Sequence, residues 1–214
     1  MNTINTVLVE DNYYVQEVLK QMIEGDERFH LVATFDDAFE AEKFCVKGGI
    51  GLVLMDVQTK NNHSGLAAGK RIKEVQPKTK IVVVTSLVDS EVLKEARSGA
   101  ADSLWYKDYG TKDIMGVIER TLAGENVFSD NAPNVTLKDL FSEELTDKQL
   151  KLLRLYVMGY THKEMAEELG MTERNVRWHL DNMVEKGNFA NKHELLIAIL
   201  DSKLIVTSLL DEDI

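Results

Sequence analysis

Short apolar runs alternate with amphipathic stretches along the first 125 residues. The runs are Thr6–Val9, Leu31–Phe35, Leu52–Asp56, Ile81–Thr85 and Ser103–Tyr106. Each reads as a strand, and Leu52–Asp56, a continuous apolar run bounded by turn residues, reads as one buried on both faces. Between them, apolar residues recur at helical spacing. Val15, Val18, Leu19, Met22 and Ile23 mark a helix from Tyr13 that Gly25 ends. Asp36 or Asp37 caps a second, running to about Lys47 before Gly48-Gly49. Gly65–Val75 is a third, stopped by Gln76-Pro77. Asp89 or Ser90 opens a fourth that ends at Ser98-Gly99, and Thr111–Leu122 is a fifth. Five strand–helix units in this order predict a parallel, doubly wound five-stranded α/β sheet of the flavodoxin-like kind. Right-handed crossovers then bring the carboxyl ends of the strands to one edge.

The pattern weakens after Phe128. Asn131, Pro133, Asn134 and acids dominate 128–144, which reads as a linker with a helical turn near Leu137–Phe141. From Thr146 the spacing is helical throughout. Leu150, Leu153, Leu155 and Val157 mark one helix closed by Gly159; Met165, Ala166 and Leu169 mark a second closed by Gly170. Thr172 caps a third carrying Val176, Leu180 and Met183, and Asn191 caps a fourth carrying Leu195, Leu196, Ile199 and Leu200. The expected division is an α/β domain over 1–127, a linker over 128–144 and an all-α four-helix domain over 145–210, with an acidic tail at Asp211-Glu212-Asp213.

Composition narrows the class. The 214 residues carry a net charge of −11. Residues 1–127 hold 15 basic and 20 acidic side chains, 128–144 hold 1 and 4, and 145–214 hold 9 and 12. No segment is basic overall, so binding to nucleic acid must come from a local patch. No apolar run reaches membrane-spanning length, and Met1–Thr6 lacks the basic-then-apolar pattern of a secretory leader. The single Cys45 cannot form an internal disulfide, which fits a reducing, cytoplasmic setting; beside Phe44 it reads as a small core residue rather than a nucleophile.

Chemistry concentrates at the strand ends. Glu10 and Asp11 follow the first strand, Asp56 ends the third, Thr85 ends the fourth and Lys107 follows the fifth. In open α/β sheets, ligands bind outside these ends. Three carboxylates converging there are costly unless a cation neutralises them. Oxygen donors with waters suit Mg2+, and a lysine opposite adds a second positive charge. That collection is completed by an anion, and a phosphoryl group carried on Asp56 supplies one.

At these residues the chain resembles a two-component response regulator over about residues 4–125. The resemblance implies that Asp56 is the phospho-acceptor, Asp11 a direct metal ligand and Glu10 its water-mediated neighbour. It implies that Gln58 offers its backbone carbonyl to the metal, Thr85 is the switch hydroxyl and Lys107 the phosphoryl-contacting lysine. The chain departs from the family pattern in two places. Lys60 stands where a proline usually follows the acceptor, and Gly65 lies one residue late, so that loop is reshaped. Leu104 occupies the usual position of the switch aromatic, with Trp105 and Tyr106 beside it, which puts the usual aromatic switch in doubt.

Gly159 to Leu180 resembles the helix-turn-helix of the NarL/FixJ (LuxR-type) regulators, and that likeness extends over about Leu145–Leu200. Ala166 allows close helix crossing, and Gly170 permits the turn before Thr172. Val176, Leu180 and Met183 face inward, leaving Arg174, Arg177, Trp178, Asp181 and Asn182 on the opposite face. A helix of this kind lies in the major groove of DNA. The resemblance places Arg177, Trp178 and Asp181 at base-facing positions, and Arg174, Asn175 and His179 at or beside backbone-contacting ones. The alternative for Trp178 is packing against a partner domain. Asp181 is an acid where the family keeps a basic or neutral residue; facing DNA, it would accept from a cytosine amino group. The fourth helix matches the family's dimerising helix, or serves the core alone.

Together these features predict a response regulator, with Mg2+ as cofactor. Its expected partners are a sensor histidine kinase and double-stranded promoter DNA, with a homodimer forming on phosphorylation. The competing reading is a phosphorylation-controlled adaptor whose helical domain binds protein; a basic ridge on the third helix favours DNA, and a neutral face favours protein. No nucleophile–base pair or nucleotide loop appears, so a stand-alone enzyme is not expected.

Overall fold

The structure is a computed structural model that describes residues 3–108 and 113–206. The expected start of the fifth helix at Thr111, the chain end beyond Val206 with its acidic tail, and Met1 lie outside the described residues. The described residues fall into two compact units. One is drawn from Met1–Ser86 and Glu91–Asn131, the other from Leu87–Ser90 and Ala132–Ile214.

The first unit is built on strands β1 (Ile4–Val9), β2 (Phe29–Phe35), β3 (Leu52–Met55), β4 (Lys80–Thr85) and β5 (Ser103–Tyr106). All neighbours are parallel, in the order β2-β1-β3-β4-β5. That order reverses beside β1, so β1 and β3 flank the crevice where such sheets bind ligands. Every residue of β3 is buried, as its unbroken apolar run requires. Helices α1 (Tyr13–Glu24), α2 (Ala38–Cys45), α3 (Gly65–Val75), α4 (Ser90–Glu95) and α5 (Ile114–Leu122) follow the strands in turn. Asn12, Asp37, Ser64 and Asp113 cap α1, α2, α3 and α5 with their side chains, satisfying amides that the first helical turn leaves unpaired. Cys45 is fully buried in α2, and burial pushes its thiol up to about 12.

The second unit contains α6 (Asp147–Val157), α7 (His162–Glu168), α8 (Glu173–Lys186) and α9 (Lys192–Asp201). Thr146 and Thr161 form reciprocal capping boxes with Gln149 and Glu164. Leu152, Leu153, Met165, Val176, Leu180, Met183, Leu195 and Ile199 form the centre of its core, each fully buried. On α6 the inward pair is Leu152–Leu153, whereas Leu150, Leu155 and Val157 pack only at its margin.

The segment 128–144 differs from the sequence expectation. In place of a helical turn near Leu137–Phe141, a hairpin forms from β6 (Thr136–Leu137) and β7 (Leu140–Phe141). Its turn places Lys138 at φ 54, in the left-handed region. Val135, Leu137, Leu140 and Leu145 are buried in the second core, so the part of 128–144 from Val135 onward is structural rather than a free tether. Among the described residues, no helix is long and apolar enough to cross a membrane.

Candidate functional site

The acids reach one edge because the sheet's hydrogen bonding continues past the strand ends. Asp56 N–H donates to the Val9 carbonyl at 2.9 Å, and Glu10 N–H donates to the Phe35 carbonyl at 2.9 Å. These bonds fix Asp56 beside Glu10 and Asp11, whose carboxylate oxygens lie with its own within 4.8 Å of one another. Lys107 N–H donates to the Thr85 carbonyl at 2.8 Å, which brings the fifth strand's end alongside the fourth. Lys107 Nζ then donates to Asp56 Oδ2 at 2.7 Å and to Glu10 Oε2 at 2.5 Å. Thr85 is fully buried at the same edge. Gln58 lies two residues beyond Asp56 and pairs with Ser64 in an isolated antiparallel bridge.

The electrostatics follow from this packing. Burial, reinforced by the negative charge of Asp56, pushes the Glu10 carboxyl up to about 7. Burial likewise raises Asp56, against the pull of the Lys107 ammonium. Burial would lower Lys107, but its two carboxylate neighbours outweigh that and hold it above its ordinary value. One lysine therefore faces two buried acids and an exposed third, Asp11. The donor set is all oxygen and electron-rich, which fits a hard divalent cation such as Mg2+. Asp56 Oδ1 accepts from its neighbour, the Val57 amide, at 2.7 Å. Its carboxylate thus stands at the sheet edge with a lysine opposite: the arrangement a covalent anion acceptor requires.

The loop after Asp56 is tight. A Cβ built on Gly65 would meet the Asp56 carbonyl, so only glycine lets α3 start this close to the acceptor. Leu104 is buried, Trp105 half-buried and Tyr106 buried, and all three lie on β5 directly before Lys107.

The second candidate site is the outer face of α8, capped by Thr172. Gly170 adopts φ 59 and turns the chain between α7 and α8. Arg174, Asn175, Arg177, Trp178 and Asp181 are exposed, while His179 and Asn182 are half-buried. Trp178 is 60% exposed. The His179 ring stands edge-on to Trp178, with centroids 4.9 Å apart.

Two ion pairs lie on this face, one within α8 and one to another helix. Arg177 is held by Glu173 one turn earlier, at 3.1 Å. Asp181 is held by Lys192 at the start of α9, at 2.7 Å. Asp181 is thus not a bare carboxylate facing DNA, and Lys192 joins the surface by an approach from another helix. Helix α8 carries three acids (Glu173, Asp181, Glu185) and three bases (Arg174, Arg177, Lys186), so no basic ridge runs along it. Burial together with the charges of Lys192 and Arg177 lowers His162, keeping it neutral near pH 7.

A parallel sheet with an acid–lysine edge, in one chain with four helices bearing a helix-turn-helix, defines a class: a phosphoryl-accepting receiver coupled to a helical output domain. Two family profiles agree. "Response regulator receiver domain" matches residues 6–119, and "Bacterial regulatory proteins, luxR family" matches 143–199. The chain belongs to the response regulators, with a receiver domain and a LuxR-type helix-turn-helix domain. It is 25% identical over 212 residues to the response regulator protein VraR of Staphylococcus aureus, covering 95% of this chain and 99% of VraR. It is 24% identical over 189 residues to a nitrate/nitrite response regulator protein homolog of Haemophilus influenzae, covering 86% and 90%. Among solved structures, an RcsB chain from two dimers bound to two parallel DNAs superposes with TM-score 0.62 at 18% identity, covering 94% of this chain and 99% of that one. A LuxR-family two-component response regulator from Aurantimonas sp. SI85-9A1 gives TM-score 0.55 at 25% identity, covering 60% and 91%.

Proposed function

We propose that this protein is a transcription regulator in which phosphorylation of Asp56, by a partner sensor histidine kinase, controls binding of the C-terminal helices to promoter DNA. The observation that carries the reading is the contact of Lys107 with both Asp56 and Glu10 at the edge where Asp11 also lies. In the proposed step an Asp56 carboxylate oxygen forms a bond to phosphorus as the donor's own bond to phosphorus breaks, and the leaving group departs with the electron pair. Glu10, Asp11, Asp56 and the Gln58 backbone carbonyl would hold Mg2+, which would supply positive charge against the acids and the phosphoryl oxygens. The Lys107 ammonium pairs with a phosphoryl oxygen, and the Thr85 hydroxyl donates to another. The phosphoryl group draws Lys107 from its two carboxylates, which biases a two-state receiver. The functional division is a receiver over 1–127 and an output domain over 145–210, with a homodimer forming on phosphorylation in the cytoplasm.

On the output side, Arg177 reads guanine, Trp178 meets an apolar base edge, and Arg174, Asn175, His179 and Asn182 position the helix on the backbone. Asp181 accepts from a cytosine amino group only by exchanging its surface partner Lys192. One observation favours the adaptor reading: the balanced charge of α8, with Arg177 and Asp181 both engaged in ion pairs. The DNA-bound RcsB relative favours DNA.

Intact-mass measurement after incubation with acetyl phosphate and Mg2+ tests the receiver chemistry. Wild type gains one phosphoryl group and Asp56→Ala gains none, while Lys107→Ala is labelled to a lower level. Equal labelling of wild type and Asp56→Ala refutes the assignment.

A further inference from the structure

The loop that follows the acceptor carries Lys60 where the resemblance places a proline and Gly65 one residue later than it expects, yet it is densely tied down. Its two halves meet in the Gln58–Ser64 bridge, and the Thr59 hydroxyl donates to the His63 carbonyl at 2.8 Å. Asn61 and Asn62 both adopt φ 60, a region asparagine tolerates better than most residues.

The tip of this loop is fastened to the segment between β2 and α2. Ala38 N–H donates to Thr59 Oγ1 at 2.9 Å, and Lys60 N–H donates to the Asp36 carbonyl at 2.9 Å. Asn61 Nδ2 donates to Asp37 Oδ2 at 2.8 Å, and His63 Nδ1 lies 2.8 Å from Asp37 Oδ1. The same Asp37 carboxylate caps α2 by accepting from Phe39 N–H at 2.8 Å and Glu40 N–H at 3.4 Å. Burial works to raise Asp37, but His63 and Asn61 outweigh it and hold the carboxyl below its usual range. One nearly buried carboxylate thus gathers two helix amides and two loop side chains.

We propose that Asp37 is a positioning residue for the phosphoryl site. Through Asn61 and His63, with Thr59 alongside, it fixes the loop that carries Gln58, whose backbone carbonyl the proposed Mg2+ site would use. A proline stiffens such a loop from within by fixing its own φ. Here Lys60 leaves φ free, and stiffness comes from outside, through hydrogen bonds to a charged acceptor. The affinity of the site for Mg2+ then depends on residues that touch neither the metal nor the phosphoryl group. This inference rests on the Mg2+ site proposed above.

The test uses the full chain and two variants, Asn61→Ala/His63→Ala and Asp37→Asn. The first keeps Asp37 as the α2 cap and removes its loop partners. The second keeps a capping oxygen but replaces the acceptor of Asn61 with a donor. Lys43→Ala, on an exposed ion pair of α2, is the control. Amide exchange without metal is measured at Lys60, whose N–H bonds Asp36. Acetyl phosphate labelling of Asp56 is followed across a Mg2+ titration. Both variants exchange Lys60 at least about tenfold faster, as expected when hydrogen bonds to a charged group are lost. Half-saturation by Mg2+ rises by roughly the same factor, while the labelling rate at saturating Mg2+ stays within about twofold. Unchanged exchange overturns the clamp. Faster exchange with an unchanged Mg2+ titration shows a clamp that does not reach the site, and overturns the proposal. If wild type itself takes no phosphoryl group, the receiver assignment fails and takes this inference with it, an outcome visible before any variant is compared.

Discussion

Gly65→Ala is the sharpest perturbation of the acceptor geometry, because the structure states how far the chain must move. A Cβ at residue 65 would stand 1.8 Å from the Asp56 carbonyl oxygen, 2.9 Å from its carbonyl carbon and 2.9 Å from Met55 Cγ. Non-bonded heavy atoms settle near ~3.5 Å, so α3 and the end of β3 must separate by roughly 1.5 Å. The obstacle is the backbone of the acceptor itself, not the tip of a flexible side chain. Overpacking of this kind costs about 1–3 kcal/mol. The retreat also breaks the 2.8 Å bond from Gly65 N–H to the Val57 carbonyl, which shapes the loop. Displacing a reacting group by ~1 Å lowers a rate by on the order of 10². We therefore expect Gly65→Ala to lose about 2 kcal/mol in urea unfolding and roughly 100-fold in the acetyl phosphate labelling rate. Gly116→Ala is the matched control: it sits inside α5, nothing lies within 4 Å of its Cβ, and alanine there stabilises by up to ~1 kcal/mol. A Gly65→Ala protein with wild-type stability and labelling rate refutes the claim that this close approach sets the acceptor's position.

Two further outcomes follow from other contacts. Asp102 accepts from Lys73 at 2.8 Å, Lys80 at 2.9 Å and the Ile81 amide at 2.9 Å, and despite burial these partners hold its carboxyl below the usual range. Its stabilisation is present above the unfolded carboxyl value near ~4 and fades as pH falls through the lower folded value. Asp102→Ala thus costs about 2 kcal/mol at pH 7, less than a fully buried pair because both lysines reach water; the gap from wild type narrows in urea melts as pH drops below ~4, and a pH-independent gap contradicts it. On the output domain, Arg177→Ala abolishes sequence preference in fluorescence anisotropy on selected and scrambled duplexes. Asp181→Asn, by releasing Lys192 for phosphates, raises affinity for both duplexes and steepens the salt dependence by about one unit of slope; unchanged slopes show that Lys192 does not meet DNA.

Much of this protein was legible in its residues alone, and the reason is range. Helix boundaries followed from caps such as Asp37, Thr172 and Asn191, which act on amides two or three residues away, while the capping boxes at Thr146 and Thr161 were not read. The buried central strand followed from its run Leu52–Met55, since a strand covered on both faces has no polar positions, whereas the edge strand β2 buries only Phe29. The order of acids at strand ends followed once the units were parallel, and the resemblance then assigned their roles. What the tertiary structure decided involves partners far apart in sequence. Lys107 reaches Glu10 across 97 positions and Asp56 across 51, a contact that only the sheet order creates. The β6–β7 hairpin was missed because two-residue strands carry no periodicity, and Lys138 at φ 54 gives no glycine signal. Asp181 read as a carboxylate facing DNA until the packing of α9 on α8 set Lys192 against it. The loop at Lys60 read only as a lost proline, because its replacement, a carboxylate on Asp37, enters from another strand's end. Local hydrogen bonding, burial pattern and one-turn ion pairs such as Glu173–Arg177 are written in nearby residues; the pairs of Lys107 and Lys192 and the Asp37 clamp exist only where the folded chain brings distant segments within about 3 Å of each other.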